Sequence, residues 1–453
     1  MGEATMLGEK KTKEIANTIL ARSAADQTEV VILAGDHHLT RFANSTIHQN
    51  VAETDTEVRI RVVVGSRVGV ATTNNLAETA LTEALDSALS IARLQPENPD
   101  FKSLPGPQPI TGVTAFSEDT ARCAPEQRAG GAGAICLMAR DKGVVASGAL
   151  TTAILEVAVA NTLGTFAYHP TTYADINTVI MSDTSAGYAS ALALDVNDLD
   201  FEAIGLEAVE KCLHSQNPRS LEPGEYTVIL EPYAVQDFVQ MMAYTGLSAV
   251  ALQEGRSFMS GKIGQQIVDS HISIWDDGLS PDGMPWPFDF EGVPKQRVDL
   301  IEGGVARGVV YDSYRAGKEQ GKESTGHALP APNTFGPFPL NTFFAPGDAA
   351  IEEMIASTDL GLYVTRFHYT RPAEPTKVVI TGMTRDGTFL IKDGEIAHPV
   401  RNLRFTQSYL EALNHVDMIG KEPRLLLGMG DIARDSVPAL KLSKFMFTGA
   451  TEF

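Results

Sequence analysis

The chain has 453 residues, of which 43% are hydrophobic and 21% charged. That is the composition of a water-soluble globular protein with more length than one core usually serves. A formal charge of −21 at pH 7 argues against nucleic-acid binding, which is driven by Lys and Arg neutralising phosphates. No run approaches the ~18 apolar residues of a spanning helix, and three widely separated cysteines, Cys123, Cys136 and Cys212, make neither a disulfide framework nor a zinc ribbon.

Residues 9–23 read as a first helix. The opening MGEATMLGEKKTKEIANTIL has no continuous apolar region, so no secretory leader is expected and a reducing cytoplasm is the expected compartment. Residues 29–33 form a strand, with Gly35-Asp36 a turn into a second at 39–43. In 57–64, Val58, Ile60 and Val62 face one way and Arg59 and Arg61 the other. Gly65-Ser66 then suits a two-residue hairpin. Asn75 with Glu78 reads as a capping box, and the helix it opens carries one apolar stripe of Leu81, Ala84, Leu85, Ala88 and Ala92. Residues 96–109 are a proline-rich linker.

After a helix at 126–142 the same plan returns. Ala43-Asn44-Ser45 is echoed by Ala160-Asn161-Thr162, and Gly69-Val70-Ala71 by Gly187-Tyr188-Ala189, each unit ending in a helix. This predicts a duplicated unit of meandering strands plus helix. A second linker at 218–224 leads to a strand at 225–230. Beyond it come a long loop at 275–294, with Pro281, Pro285, Pro287 and Pro294, and strand-like runs at 360–367, 377–381, 388–391 and 440–447. A short helix near 407–414 interrupts them.

The most distinctive stretch is 233–278. Residues 236–252 are apolar nearly all round, the pattern of a buried helix. The run SFMSGKIGQQI at 257–267 is a loop rich in hydroxyls and small residues, and IWDDG closes the stretch at 274–278. These runs resemble the TldD/TldE (PmbA) family, known for a two-subunit, zinc-dependent peptidase. STGH at 324–327 and NTF at 333–335 resemble the family's small-residue segments. TRFHYTR at 365–371, GMTRDGTFLI at 382–391 and GEIAHPV at 394–400 resemble one branch of TldE/PmbA-like proteins. In the metal-bearing subunit of that family a helix just before the SG loop carries HExxxH, and a C-terminal cysteine completes the zinc site. Here no histidine lies between His214 and His271, and all three cysteines lie upstream of the helix. The resemblance is therefore to the metal-free side of the family. A label once tied this family to DNA gyrase, and the acidic charge gives it no physical support.

Other motifs carry less. His37-His38 are neighbours on a strand and point to opposite faces, so they do not chelate one ion. Gly317 to Ser324 is one residue short of a P-loop, and Glu323 stands where a hydroxyl would hold magnesium. Ser248 lacks the second glycine of a nucleophile elbow. Ser257 and Ser260 with Lys262 offer a Ser–Lys pair, weighed against hydroxyls that cap a turn. Arg366 and Arg385 offer bidentate clamps for a peptide carboxylate, weighed against pairing with acidic neighbours.

The expected class is α+β. Residues 1–217 form an N-terminal α/β domain of duplicated strand-meander-plus-helix units (29–94 and 150–214). Residues 218–453 form a mostly β domain, barrel- or sandwich-like, around the buried helix 236–252. The resemblance implies a cytoplasmic, non-catalytic partner subunit of a zinc-dependent peptidase acting on unfolded or extended peptides. Zinc is expected in an HExxxH-bearing paralogue, and no catalytic or metal-ligating residue is expected in this chain. The substrate-facing residues expected are Arg256, Ser257, Ser260, Gly261 and Lys262, with His327, Arg366 and Arg385. A homodimeric peptide-binding protein and an autonomous hydrolase with a non-standard site are the competing readings. No nucleic acid or membrane partner is expected.

Overall fold

The computed structural model describes residues 6–428, 430 and 432–450. Its first part runs α1 (Gly8–Arg22), β1 (Gln27–Ala43), β2 (Thr46–Val64), β3 (Arg67–Thr73) and α2 (Glu78–Leu94). A short α3 (Glu118–Ala121) precedes α4 (Pro125–Asp141), β4 (Val145–Asn161), β5 (Phe166–Met181), β6 (Ala186–Ala193) and α5 (Phe201–His214). The six strands make one sheet of order β3-β2-β1-β4-β5-β6, antiparallel throughout. Two three-stranded meanders thus meet back to back through β1 and β4.

The repeated glycines have one physical job. A Cβ on Gly69 would lie 2.2 Å from the carbonyl oxygen of Ala88 on α2, and one on Gly187 would lie 2.1 Å from that of Ala208 on α5. In each unit the glycine lets the closing helix lie directly on the outermost strand. β1 alternates as a strand buried on both faces should. Val30 and Ile32 pack with Ile15 of α1 and Leu81 and Leu85 of α2, whereas Val31 packs with Phe288 and Phe290 of the C-terminal half.

Two local expectations are corrected. Gly35-Asp36 makes no turn: Gly35 pairs with Asp55 on one side and Leu155 on the other, and two flanking ladders hold β1 extended. The residue before α2 is Ala77, not Asn75. Asn75 Oδ1 instead accepts from the Ala77 N–H at 2.9 Å, capping the turn that precedes the helix.

The second part opens with β7 (Gly224–Leu230), α6 (Pro232–Gly246) and α7 (Ala249–Gln253). Short strands follow: β8 (Ile274–Asp276), β9 (Val298–Glu302), β10 (Val305–Ala306) and β11 (Asn341–Phe344). Then come β12 (Leu360–Glu374), β13 (Val379–Lys392), β14 (Glu395–Pro399), β15 (Leu403–Ser408), β16 (Val416–Ile419), β17 (Arg424–Leu427), β18 (Arg434–Val437) and β19 (Leu440–Ala450). The order β12-β7-β19-β15-β13 closes on itself through β12–β13 pairing, giving a five-stranded barrel with β14 and β16 as additions. The other sheet is β10-β9-β8-β11-β18-β17.

Helix α6 lies between these two sheets. Phe238 stacks on Tyr409 with ring centroids 3.8 Å apart and packs with Phe367, Phe405 and Phe445 on the barrel side. Gln236 and Gln240, one turn apart, reach β17 and β18 on the other side. The expected single helix 236–252 is broken at Leu247-Ser248. There Val310 donates to the Leu247 carbonyl and accepts from the Ala249 N–H, which draws Ser248 into an extended conformation. An apolar run alone does not reveal a competing backbone partner that lies 62 residues away in sequence (248 to 310).

Candidate functional site

The SG loop folds back over the end of α6. Ser257 is buried; its Oγ donates to the Gly246 carbonyl at 2.6 Å and accepts from the Met259 N–H at 3.0 Å. The Phe258 ring occupies the space a side chain at Gly246 would need. Ser257 therefore fastens the loop and presents no hydroxyl to solvent, the turn-capping alternative. Arg256 is exposed and paired with Glu254 at 2.8 Å. Gly261, at φ +71°, and Lys262 lie on the outer rim. The Ser260 hydroxyl is buried without a hydrogen-bond partner.

The remaining expected residues lie elsewhere. Arg366 donates to Asp386 at 2.6 Å and lies over the Tyr188 ring at 4.1 Å, and Arg385 sits 3.7 Å from the same carboxylate. Both arginines are thus paired with an acidic neighbour on the β12–β13 hairpin. His327 is fully buried, so its imidazole faces no open surface. The expected group accordingly divides into three separate places: the SG loop, the β12–β13 hairpin and a buried polar centre.

That centre is built on β8 and its neighbours. Asp276 is wholly buried; Oδ1 accepts from His327 Nε2 at 2.8 Å, and Oδ2 accepts from the Asn341 N–H at 2.8 Å. Lys295 Nζ lies 4.0 Å from Asp276 Oδ1. Burial pushes the Asp276 carboxyl up, but the Lys295 charge and the bonds from His327 and Asn341 outweigh it and hold it at about 2. Burial lowers both Lys295 and His327, with the Lys295 charge adding to the effect on the imidazole. Asp289, buried and near Glu291, is pushed up to about 7 although three backbone N–H groups donate to its carboxylate.

On the adjoining strands, Asn341 pairs with Arg434 and Thr342 with Asp435. Asp435 is buried, and burial pushes its carboxyl up to about 6 against the amides of Gln240 (3.0 Å) and Gln236 (3.1 Å). Sequence reading missed Lys295, Asn341, Gln236, Gln240 and Asp435. Their one signal is a lone polar residue inside an apolar or proline-flanked run, as in Val293-Pro294-Lys295 and Leu340-Asn341.

Helix α6 is the helix that precedes the SG loop, where the resemblance implies zinc ligands in the metal-bearing subunit. Here it offers carboxamides. Gln236 donates to the Leu427 carbonyl and to Asp435, and Gln240 donates to the same carboxylate oxygen. The one carboxylate on the helix, Asp237, is bound to Tyr409 and Thr370 on the barrel side. Zinc is held by imidazole, thiolate or several carboxylates, so this donor set does not fit it. Among the described residues no group of three or more His, Cys, Asp or Glu is placed to hold a metal ion.

Residues 28–92 match domain 1 of the PmbA/TldA metallopeptidases, residues 131–216 their central domain, and residues 223–449 their C-terminal domain. A protein named metalloprotease from Methanothermobacter thermautotrophicus is 28% identical over 243 residues, 53% of this chain and 52% of that protein. A metalloprotease TldD homolog from Buchnera aphidicola (subsp. Schizaphis graminum) is 26% identical over 258 residues, 54% of this chain and 52% of its own. The chain thus spans about half the length of the curated relatives it matches. In structure it is similar to TldE from Thermococcus kodakarensis, with TM-score 0.89 at 22% identity over 97% of this chain and 100% of that one. It is also similar to a putative modulator of a DNA gyrase from Thermotoga maritima, with TM-score 0.86 at 20% identity over 96% and 100%. At those identities the structural likeness speaks for the fold. With three successive segments matched, the last of them half the chain, the protein belongs to the PmbA/TldD metallopeptidase family.

Proposed function

We propose that this chain is the non-catalytic partner subunit of a zinc-dependent peptidase that cuts unfolded or extended peptides. The observation that carries the reading is the pair Gln236 and Gln240, whose amides donate to Asp435 where the resemblance implies a metal-binding helix. The zinc and its activated water belong to an HExxxH-bearing paralogue. This chain's part is to close the chamber, hold the peptide extended and stabilise the partner, with the exposed rim of the SG loop at Gly261 and Lys262 facing the substrate. Three free, buried cysteines support a reducing cytoplasm as its location. No described helix is long and apolar enough to cross a membrane.

The test is zinc content and cleavage of an unfolded peptide by the purified chain, alone and co-expressed with an HExxxH paralogue from the same genome. The expected result is an inactive chain without bound zinc that becomes active in a co-purifying complex. Stoichiometric zinc with chelator-sensitive activity in the lone chain would overturn the proposal.

A further inference from the structure

A second site lies in an open cleft of about 380 Å³ between the two halves of the molecule. That volume falls within the roughly 300–1,000 Å³ of small-ligand sites. Its walls are apolar, with Val70 of β3, Ile91 of α2 and Phe101 from the first half and Leu329 and Pro332 from the second. Its polar end holds Arg61, Glu291 and Asp312. The first two are committed. Arg61 donates to Glu291 Oε1 at 3.0 Å and to Glu29 Oε2 at 2.6 Å, and Glu291 Oε2 accepts from the Ser313 N–H at 3.1 Å. Asp312 is different. Its Oδ1 accepts from the Arg315 N–H at 2.6 Å and caps the short helix Ser313–Gly317. Its Oδ2 has no donor among the described residues, yet the residue is 8% exposed and this oxygen is not sealed from solvent. The carboxylates of Glu29, Glu291 and Asp312 thus share one guanidinium. Arg315 lies over the Tyr314 ring at 5.5 Å and 3.9 Å from Glu254, so its charge is divided. Burial, and then the Glu291 charge, push the Asp312 carboxyl up to about 6 against weaker pulls from Arg315 and Arg61.

We propose that this cleft binds a primary ammonium carried on an apolar stem, with Asp312 Oδ2 as the counter-ion and the apolar walls around the stem. An anionic ligand would meet Glu291 and Asp312 as like charges. A guanidinium calls for two acceptors side by side, and both oxygens of Glu291 and one of Asp312 are already taken. An ammonium needs one strong acceptor and completes its shell with water on the open side. A neutral apolar ligand fills the walls and leaves the carboxylate bare. A lysine side chain and a peptide amino terminus both supply the group, and the inference rests on the peptide-handling reading only for that source.

The purified chain is titrated by calorimetry at pH 7 with two ammonium probes, N-acetyllysine N-methylamide and norleucine N-methylamide. The neutral N-acetylnorleucine N-methylamide and the guanidinium of N-acetylarginine N-methylamide are the comparisons. At least one ammonium probe is expected to bind about tenfold or more tightly than both comparisons. A preference for the lysine probe assigns the source to a side chain, and one for the norleucine amine assigns it to an amino terminus. Asp312→Asn keeps a good helix cap and removes the charge, and is expected to reduce the preference to below about threefold. Ile91→Trp narrows the cleft from its more exposed wall and is expected to weaken every probe that binds. Equal binding of ammonium and neutral probes, tightest binding of the arginine probe, or no binding of either ammonium probe would overturn the proposal. So would an unaltered preference in Asp312→Asn or an unaltered affinity in Ile91→Trp. The probes need neither partner nor zinc, so failure here leaves the co-expression test standing, and failure there leaves this result standing.

Discussion

Replacing Lys295 with methionine keeps the length and volume of a side chain that is 1% exposed while removing the cation nearest Asp276. In the native protein the Asp276 carboxyl is held at about 2 against an ordinary 3.8, a gap worth roughly 2.5 kcal/mol at ~1.36 kcal/mol per unit. Because the folded value lies below the unfolded one, this stability is present above about pH 4 and is lost as pH falls toward 2. Without Lys295, burial becomes the dominant influence and the carboxylate stands uncompensated except for His327 and Asn341. Breaking a buried pair from one side costs about 3–5 kcal/mol. Lys295→Met is therefore expected to lose about that much at pH 7, and the deficit is expected to shrink below pH 4, where Asp276 is protonated in the variant. Urea unfolding followed by tryptophan fluorescence between pH 3 and 8 measures both. The double variant Lys295→Met/Asp276→Asn should recover more than half of the loss, since it removes the uncompensated charge. A deficit under about 1 kcal/mol that does not change with pH would refute the assignment of Lys295 as the counter-ion.

Asp435 should behave in the opposite sense. Its folded carboxyl stands at about 6, above the ordinary 3.8, so its contribution is present below about pH 4 and is lost as pH rises through 6. Asp435→Asn should flatten the melting temperature between those limits, and an unchanged slope would refute the reading. Gln236→His with Gln240→His places two imidazoles one helical turn apart beside Asp435, and about one zinc per chain is the expected gain by elemental analysis. Ser257→Ala should cost about 1–2 kcal/mol by freeing the Met259 N–H and the Gly246 carbonyl, whereas Ser260→Ala, which breaks no hydrogen bond, should be nearly neutral. If Lys262→Ala, on the exposed rim of the loop, leaves kcat/KM of the reconstituted complex unchanged, the SG loop does not meet the substrate there. Gly187→Ala sets a methyl 2.1 Å from the Ala208 carbonyl and is expected to destabilise by about 1–3 kcal/mol, checked by thermal unfolding beside Gly130→Ala, where nothing lies within 4 Å.

The duplicated units were legible because their signals are local. Val58, Ile60 and Val62 alternate, the helix stripe from Leu81 to Ala92 has helical spacing, and Gly69 and Gly187 recur at matching places because each must admit a helix backbone. The mostly β character of the second part was legible for the same reason. Closure of its strands into a barrel was not, since nothing in β12 or β13 states that β7 pairs parallel with one and that both complete a ring. The break in the central helix at Ser248 and the burial of Ser257 depend on distant backbone partners at Val310 and Gly246. The buried polar centre was the least legible part. Asp276, Lys295, His327 and Asn341 come from four separated segments, and only tertiary structure turns an isolated charged residue into a paired one.

The register at that centre has a chemical consequence. Thr342 of β11 faces Asp276 of β8 on one side and Asp435 of β18 on the other, so two carboxylates flank one residue across three strands. Buried carboxylates this near cannot both ionise cheaply, and their surroundings separate them. Lys295 and His327 keep Asp276 ionised. Asp435 has the neutral amides of Gln240 and Gln236 and a weaker pull from the Arg434 charge, and feels the Asp276 charge in addition to its own burial. The sheet centre thus carries one fixed negative charge and one that appears only as pH rises through 6. An imidazole at either glutamine position would change that balance by adding a partner for Asp435, which in turn favours a bound cation. The two glutamines keep Asp435 hydrogen-bonded without supplying such a charge.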